Sequence, residues 1–164
     1  MTIRFGILTL SDRSATGERA DASGPALADL IRAQGWSVTK QAILPDDESA
    51  IRATLTEWAD SGTVDVILTS GGTGFAPRDV TPEATRAIIE REAPGLVETM
   101  RAESLKKTPH AMLSRAVAGI RKRTLIVNLP GSPKGAVENL QTILPVLPHA
   151  VQLLTDDPNS EVSH

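Results

Sequence analysis

Val64-Asp-Val-Ile-Leu-Thr-Ser-Gly-Gly-Thr-Gly74 is the stretch that decides the fold, because an apolar, partly β-branched run leads there directly into a glycine loop. Residues 64–69 predict a buried strand. The glycines that follow allow a sharp turn, expose successive N–H groups to an anion and let a ligand approach closely. The loop at 70–74 has neither the Lys-Ser/Thr of a P-loop nor the third spaced glycine of a dinucleotide fingerprint. We interpret it as a ligand-binding loop, the alternative being a tight turn between a strand and a helix.

Apolar runs and helical patterns alternate on both sides of this stretch. The other predicted strands are residues 3–10, 36–44 and 124–129. Four helices are predicted. The first runs from Ser23-Gly24-Pro25 to Gly35, and the second follows a turn at Pro45-Asp46-Asp47-Glu48 and ends at Gly62. The third covers 82–108, after a cap at Thr81 and with a break at Pro94-Gly95, and the last covers 134–154, divided by Pro145 and Pro148. The stretch 111–123 favours neither type of element. Strands that alternate with helices favour an α/β fold with a mainly parallel sheet.

The length of the chain predicts a single domain. With 164 residues the chain has about the size of one typical domain, and no interior linker or internal repeat divides it. We expect residues 1–154 to form this domain and the polar residues 155–164 to form a frayed tail.

Composition and charge exclude several classes of function. The chain has no cysteine, which excludes disulfides, zinc–thiolate sites, iron–sulfur clusters and cysteine nucleophiles. Its formal net charge is −3, and two Phe, two Trp and no Tyr offer few stacking platforms for nucleic acid. No apolar run approaches the ~18 residues of a membrane span, and the N-terminus lacks the apolar region of a signal peptide. We therefore expect a cytoplasmic protein that binds neither nucleic acid nor membrane.

Four loops are expected to meet where the parallel strands have their carboxyl ends, the edge at which α/β proteins bind ligands. These loops are 11–13, 45–47, 70–79 and 130–134. In the last of them two prolines make a rigid turn, in which Ser132 and Lys134 can meet a phosphate. As a bare pattern such a loop is also typical of a stiff turn without a ligand.

Asp46 and Asp79 each lie in one of these loops. Two carboxylates together with phosphate oxygens form a typical Mg²⁺ site, because Mg²⁺ keeps several waters and takes few protein ligands. The alternatives are structural: Asp46 or Asp47 caps the next helix, and Asp79 caps the turn before Thr81 or pairs with Arg78. Both interpretations remain open at this point.

Taken together and in order, these motifs resemble those of a known family. The residues that carry the resemblance are Leu10-Ser11-Asp12-Arg13, Pro45-Asp46, Thr69 to Gly74, Arg78-Asp79-Val80-Thr81-Pro82-Glu83-Ala84-Thr85, Leu113-Ser114-Arg115 and Asn128-Leu129-Pro130-Gly131-Ser132-Pro133. The set is similar to the MogA/MoaB family of molybdenum-cofactor biosynthesis proteins, and the similarity extends from about residue 3 to 154.

The resemblance implies a three-layer αβα fold, a homotrimer, and the use of ATP and Mg²⁺ to adenylylate the terminal phosphate of molybdopterin, with release of pyrophosphate. The product is expected to pass to the enzyme that inserts molybdate. Asp46 and Asp79 correspond to the family's two essential acids, the expected catalytic and metal-binding residues. The expected binding residues for the substrates are Ser11, Asp12, Arg13, Ser70, Gly71, Gly72, Thr73, Gly74, Ser114, Arg115, Pro130, Gly131 and Ser132. We expect Arg13, Arg115 or Lys134 to contact phosphate.

Two other functions remain open from the sequence. A non-catalytic trimer would bind the pterin and hand it on without using ATP, and the acidic pair would then be superfluous. A nucleotide-pyrophosphate hydrolase would turn over a dinucleotide pyrophosphate in the absence of pterin.

Overall fold

The computed structural model describes residues 1–156, which form a six-stranded sheet with helices on both faces. The strands are β1 (Arg4–Leu10), β2 (Ser37–Leu44), β3 (Val66–Ser70), β4 (Arg91–Glu92), β5 (Ala118–Arg121) and β6 (Thr124–Leu129). Their order across the sheet is β2-β1-β3-β6-β5-β4. The first four strands in this order run parallel, β5 pairs antiparallel with β6, and β4 pairs antiparallel with β5. The prediction of a mainly parallel α/β sheet is confirmed.

Seven α-helices lie between and after these strands within residues 1–156. They are α1 (Asp12–Ala15), α2 (Ser23–Ala33), α3 (Glu48–Asp60), α4 (Thr81–Ile88), α5 (Pro94–Leu105), α6 (Pro133–Ile143) and α7 (Leu147–Leu154). Short 3₁₀ turns at Pro109–Leu113 and Leu144–Val146 complete the connections.

Alternation of apolar side chains along β1 explains why helices cover both faces of the sheet. Phe5 and Ile7 pack in a core with α2, α5, α6 and α7, whereas Leu8 and Leu10 pack in a second core with α3 and α4. All four side chains are buried, so the central strands are apolar on both faces, as is usual for parallel sheets. The result is the three-layer αβα arrangement that the resemblance implies.

Two regions differ from the sequence expectation. The break within 82–108 lies at residues 89–93 and contains β4, whereas Pro94 begins α5, because proline is tolerated in the first helical turn, where its missing N–H is not needed. Residues 111–123, which had no assignment, hold β5 and a tight turn into β6 with Lys122 at a φ of +52°. Strands this short carry too little alternation to be recognised in a sequence.

The helices α3 and α4 begin in different ways. Asp47 caps α3 by accepting a hydrogen bond from the N–H of Ala50 at 3.1 Å. The cap prediction for Thr81 is wrong, because Thr81 lies inside α4 and its hydroxyl donates to the carbonyl of Gly71 at 2.9 Å. The Thr81 side chain therefore fastens α4 to the glycine loop.

The outer strands of the sheet are its irregular ones. The pairing of β2 with β1 shifts register between Phe5 and Gly6, where Thr39 is the extra residue on β2. The Thr39 hydroxyl lies 3.2 Å from the carbonyl oxygen of Thr63, to which it donates. At the opposite edge, β4 is only two residues long.

Among residues 1–156, no helix combines the length and the apolar character that crossing a bilayer requires. Helix α7 ends at Leu154, the predicted end of the domain. Of the predicted tail 155–164, residues 157–164 lie outside the described residues.

Candidate active site

The loop between β3 and α4 takes a conformation that its glycines permit. Gly71 and Gly72 have φ angles of +108° and +67°, a range that residues with side chains rarely adopt. A Cβ on Gly71 would overlap the carbonyl oxygen of Leu10, and a Cβ on Gly72 would overlap the hydroxyl of Thr81. The loop therefore packs directly against the end of β1 and the start of α4.

Hydrogen bonds to the end of β6 hold this loop in place. The N–H of Gly71 donates to the carbonyl of Leu129 at 3.1 Å. The hydroxyl of Ser70 donates to the carbonyl of Pro130 at 2.8 Å. Because the loop is bonded to the end of β6 and also packs against β1 and α4, it needs little rearrangement to receive a ligand.

A polar cavity of about 540 Å³ opens beside the loop. Its walls come from the ends of β1, β3 and β6, from the segment before α2, and from the loops that hold the two acids. Eight of the predicted site residues line it: Ser11, Asp46, Ser70, Gly71, Gly72, Asp79, Gly131 and Ser132. The structure thus brings both acids and the glycine loop to one cavity at the carboxyl ends of the strands.

Asp46 is held in this cavity by reciprocal hydrogen bonds with Asp12. The N–H of Asp12 donates to Asp46 Oδ2 at 3.2 Å, and the N–H of Asp46 donates to Asp12 Oδ1 at 3.0 Å. The second carboxylate oxygen of Asp46, Oδ1, is buried and accepts no hydrogen bond from the described part of the chain. A Cβ on Gly72 would lie 3.1 Å from this atom. The backbone of Gly72 therefore packs closely against an unpaired carboxylate oxygen, at a position where a side chain would not fit.

Asp79 lines the same cavity from the loop that precedes α4. Its Oδ2 accepts a hydrogen bond from the N–H of Ala76 at 3.0 Å, and its own N–H donates to the carbonyl of Ala76 at 2.9 Å. The turn role predicted for Asp79 is thus present, and it is compatible with a ligand because the carboxylate has a second oxygen. The predicted alternative of an Arg78–Asp79 pair is wrong, since Arg78 pairs with Asp12 at 2.8 and 2.9 Å.

The surroundings of Asp46 raise its pKa above the ordinary value. Burial is the largest cause, and the negative charges of Asp12 and Asp79 act in the same direction, whereas the hydrogen bond from the Asp12 N–H and the charge of Arg78 oppose them. The pKa of Asp12 is lowered instead, mainly by its hydrogen bonds from Arg78. The ionised form of Asp46 is therefore disfavoured in the folded protein, a cost that a bound cation would relieve.

We expect Asp46→Asn to raise the melting temperature at pH 7 by about 1–3 °C. The increase is small because Asp46 is only partly buried and solvent screens its charge. A folded-state pKa above the ordinary value means that the protonated form stabilises the fold below the ordinary pKa, and that this stability is lost as pH rises through the raised pKa. The advantage of the neutral amide should therefore be present at pH 7 and shrink towards pH 4. Calorimetry without divalent cations measures it, with Asp29→Asn on the exposed face of α2 as the control. A variant less stable than the parent at pH 7 contradicts the expectation.

A second cavity, of about 310 Å³, shares Ser132 with the first. The predicted residues Thr73, Gly74, Ser114 and Pro130 line it rather than the first cavity. Its walls are mostly carbon and include Val97 and Met100 of α5, together with buried Asn139 of α6. Sequence reasoning missed these helix residues because apolar positions at helical spacing are usually core.

Arg115 lines neither cavity but ties the glycine loop to α4. Its Nε donates to the carbonyl of Gly74 and its Nη2 to the carbonyl of Asp79, both at 2.8 Å. Its Nη1 donates to Glu83 Oε2 at 2.7 Å, which lowers the pKa of Glu83. Because these contacts fix both ends of the segment 74–79, we interpret Arg115 as a positioning residue rather than a phosphate contact.

Arg13 and Lys134, the other expected phosphate contacts, are exposed and also line neither cavity. The basic residue that does line the first cavity is Arg19, which sequence reasoning missed because the polar stretch that contains it has no periodicity. The sequence offered one clue to the structure of this stretch, which is Asp21. It lies three residues before Gly24, the spacing at which a side chain caps a helix, so residues close to Asp21 could have been expected at the start of α2. In the structure Asp21 Oδ1 accepts from the N–H of Gly24 at 3.1 Å.

Comparison with known proteins identifies the family to which these features belong. The family model described as "Probable molybdopterin binding domain" matches residues 6–149. The chain belongs to this family. The matched range includes all the predicted site residues that line the two cavities, from Ser11 to Ser132. The match to the molybdopterin-binding family confirms the resemblance that the motifs indicate.

Relatives and solved structures agree with this assignment. The chain is 40% identical over 155 residues to the molybdopterin adenylyltransferase of Helicobacter pylori strain J99, covering 93% of this chain and 88% of that protein. It is 49% identical over 158 residues to the molybdenum cofactor synthesis protein cinnamon of Drosophila melanogaster, covering 95% of this chain. The chain spans about a quarter (26%) of the length of cinnamon. The crystal structure of the molybdopterin biosynthesis enzyme MoaB from Thermus thermophilus matches with a TM-score of 0.90 at 53% identity, covering 96% of this chain and 99% of that one.

Proposed function

We propose that this chain is a molybdopterin adenylyltransferase that acts in molybdenum cofactor biosynthesis. In the proposed reaction, an oxygen of the terminal phosphate of molybdopterin attacks the α-phosphorus of ATP and forms a new O–P bond. The bond from that phosphorus to the β-phosphate oxygen breaks, and pyrophosphate leaves. The similarity to the Helicobacter pylori adenylyltransferase along most of both chains supports this proposal.

The observation that carries the proposal is the position of Asp46 and Asp79 on one cavity beside the glycine loop. A buried carboxylate oxygen without a hydrogen bond is costly and uncommon. Asp46 Oδ1 is such an atom, and it lies against the backbone of Gly72, which has no side chain to cover it. A cation bound there would compensate this oxygen, and a protein that only carries a pterin would have no need of one.

The acidic pair fits Mg²⁺ better than it fits a metal held by protein ligands alone. Mg²⁺ typically takes one or two carboxylates, substrate phosphates and several waters. Among the residues that the structure describes, no cluster of three or more His, Cys, Asp or Glu residues forms a metal cage. Asp46, through its unpaired oxygen, and Asp79 are the residues that would hold Mg²⁺. When bound, the ion would supply positive charge against the polyphosphate of ATP.

We assign the polyphosphate of ATP to the first cavity and the pterin to the second. The first cavity holds both acids, whereas the second has carbon-rich walls and the buried amide of Asn139. Flat heteroaromatic ligands bind in cavities whose apolar walls contact the ring faces and whose few polar groups bond to the ring edge. Ser132 lines both cavities, so the two phosphates would meet at Ser132 and the glycine loop.

The proposed chemistry requires positioning and charge compensation rather than proton abstraction. A phosphate monoester is already ionised at pH 7, so no general base is needed, in agreement with a cavity that has no histidine among its described lining residues. The obstacle is repulsion between two polyanions that must approach in line. The fixed glycine loop offers the N–H groups that follow Gly71, whose own N–H is bonded to Leu129. Arg115 holds the segment that carries Asp79, so the geometry is set before the substrates bind.

We propose in addition that the chain forms a homotrimer and passes its product to an enzyme that inserts molybdate. Exposed apolar side chains support a contact between copies: Val146 and Leu153, in neighbouring C-terminal elements, are each 50% exposed. Sedimentation velocity that gives the mass of a single protomer would contradict the trimer.

Pyrophosphate release tests the proposed function directly. We expect release only when ATP, Mg²⁺ and molybdopterin are all present, with one pyrophosphate formed for each adenylyl-molybdopterin. Omission of each component in turn is the control. Release from a dinucleotide pyrophosphate without pterin would favour a hydrolase, and tight pterin binding without any release would favour a carrier; either result would overturn the proposal.

A further inference from the structure

Arg19 differs from the other arginines near the site because it both lines the first cavity and has no carboxylate partner within residues 1–156. In the part of the chain that the structure describes, it is the only basic residue that lines the first cavity. Arg19 is exposed, and the arginines that form ion pairs among these residues do not include it. Arg78 and Arg115, by contrast, are each paired with a carboxylate, that of Asp12 and that of Glu83 respectively. The charge of Arg19 is therefore available to a ligand, whereas the charges of the other two are already compensated.

Backbone and side-chain contacts fix the segment that carries Arg19. The N–H of Arg19 donates to the carbonyl of Arg13 at 3.2 Å. Two residues further on, Asp21 accepts from the Thr9 hydroxyl at 2.9 Å and from the Ser23 hydroxyl at 3.2 Å. The backbone is thus anchored at Arg19 and again at Asp21, so less backbone freedom is lost when Arg19 binds a ligand.

The negative charges around the first cavity favour a cation at this position. Asp21, Asp46 and Asp79 all line the cavity, and a polyphosphate entering it is repelled by like charges. A single divalent ion at Asp46 and Asp79 offsets only part of the negative charge that ATP brings. A guanidinium can offset more of it and can donate two parallel hydrogen bonds to phosphate oxygens.

We propose that Arg19 binds the β- and γ-phosphates of the nucleotide, the part that leaves as pyrophosphate. This inference rests on the proposed function and adds a nucleotide-binding residue to it. The α-phosphorus has to lie where the two cavities meet, at the glycine loop and Ser132. The β- and γ-phosphates then extend into the first cavity, towards the wall that carries Arg19.

Nucleotide binding to the full chain tests the proposal, measured by calorimetry with Mg²⁺-ATP and with AMP as the two probes. We expect Arg19→Ala to weaken Mg²⁺-ATP binding by about 10- to 100-fold, because a charge-assisted hydrogen bond to phosphate is lost. AMP binding should change by less than about 2-fold, since AMP lacks the phosphates that Arg19 contacts. Arg19→Lys keeps the positive charge but lacks the two parallel donors of the guanidinium, so it should recover part of the lost affinity for Mg²⁺-ATP. Arg32→Ala, at an exposed arginine near the end of α2, is the matched control.

The possible outcomes separate this inference from the proposed function. If the parent binds Mg²⁺-ATP and Arg19→Ala binds it equally tightly, the role of Arg19 is overturned and the proposed function stands. Equal losses of affinity for Mg²⁺-ATP and for AMP in Arg19→Ala would also overturn that role, because they would indicate a general disturbance of the site. A loss in Arg13→Ala but not in Arg19→Ala would transfer the role to Arg13. If the parent binds no Mg²⁺-ATP at all, both proposals fail.

Discussion

Asp79→Asn is expected to slow the single-turnover transfer of AMP to molybdopterin by about 10²- to 10³-fold. The asparagine retains an oxygen that can accept the hydrogen bond from the Ala76 N–H, which Asp79 accepts at 3.0 Å. The loop should therefore keep its shape while the cavity loses one of its negative charges. The expected loss is thus a loss of charge at the site of phosphoryl chemistry rather than a loss of fold.

Two measurements make the result for Asp79→Asn specific. Molybdopterin binding, measured separately, should stay within about 3-fold of the parent, because the pterin is assigned to the other cavity. Asp29→Asn removes an exposed carboxylate from α2 and should leave the transfer rate unchanged. A single-turnover rate of Asp79→Asn close to that of the parent would remove Asp79 from the mechanism.

Gly71→Ala is expected to lower the free energy of unfolding by about 3 kcal/mol or more. The backbone of Gly71 has a φ of +108°, which is strained for alanine. The added Cβ would also overlap the carbonyl oxygen of Leu10, which belongs to a buried central strand that cannot move aside easily. Urea unfolding followed by circular dichroism measures the difference.

Gly17→Ala is the matched control for this substitution. Gly17 has a φ of +77°, but a Cβ there would meet nothing within 4 Å. Gly17→Ala should therefore lower the free energy of unfolding only by the strain of the backbone conformation, about 1–2 kcal/mol. Equal losses of stability in the two variants would show that contact with Leu10 contributes nothing at Gly71.

The sequence was sufficient to predict that the two acids and the glycine loop lie together. Asp46 and the loop at 70–74 each follow an apolar run that is recognisable as a strand, and Asp79 lies later in the second of these connections. The carboxyl ends of parallel strands lie on one edge of a sheet, so their loops must meet there. The common cavity at Asp46 and Asp79 follows from that rule without knowledge of side-chain positions.

The basic residues could not be assigned in the same way. Arg115 lies within one of the predicted motifs, but its donors point to the carbonyls of Gly74 and Asp79. Arg19 lies outside the motifs and still reaches the cavity. A long, flexible side chain can point in several directions from one backbone position, so sequence spacing does not determine which arginine faces a ligand.

The hairpin formed by β5 and β6 and the second cavity were missed for a related reason. β5 has four residues and β4 has two, which is too short for a periodic signal. The cavity at Met100 and Asn139 lies between helices that come together only in the folded chain. Both features depend on contacts between distant segments, which a single sequence does not reveal.

The irregular outer strands have a consequence for behaviour at high concentration. An open strand edge is a template on which a second molecule can add a strand, the usual first step towards aggregation. At one edge, the extra residue Thr39 in β2 interrupts the ladder and locally increases its twist. At the other edge, β4 offers only two residues for pairing. The apolar central strands, which would readily join intermolecular sheets if exposed, are thus shielded for as long as the protein stays folded.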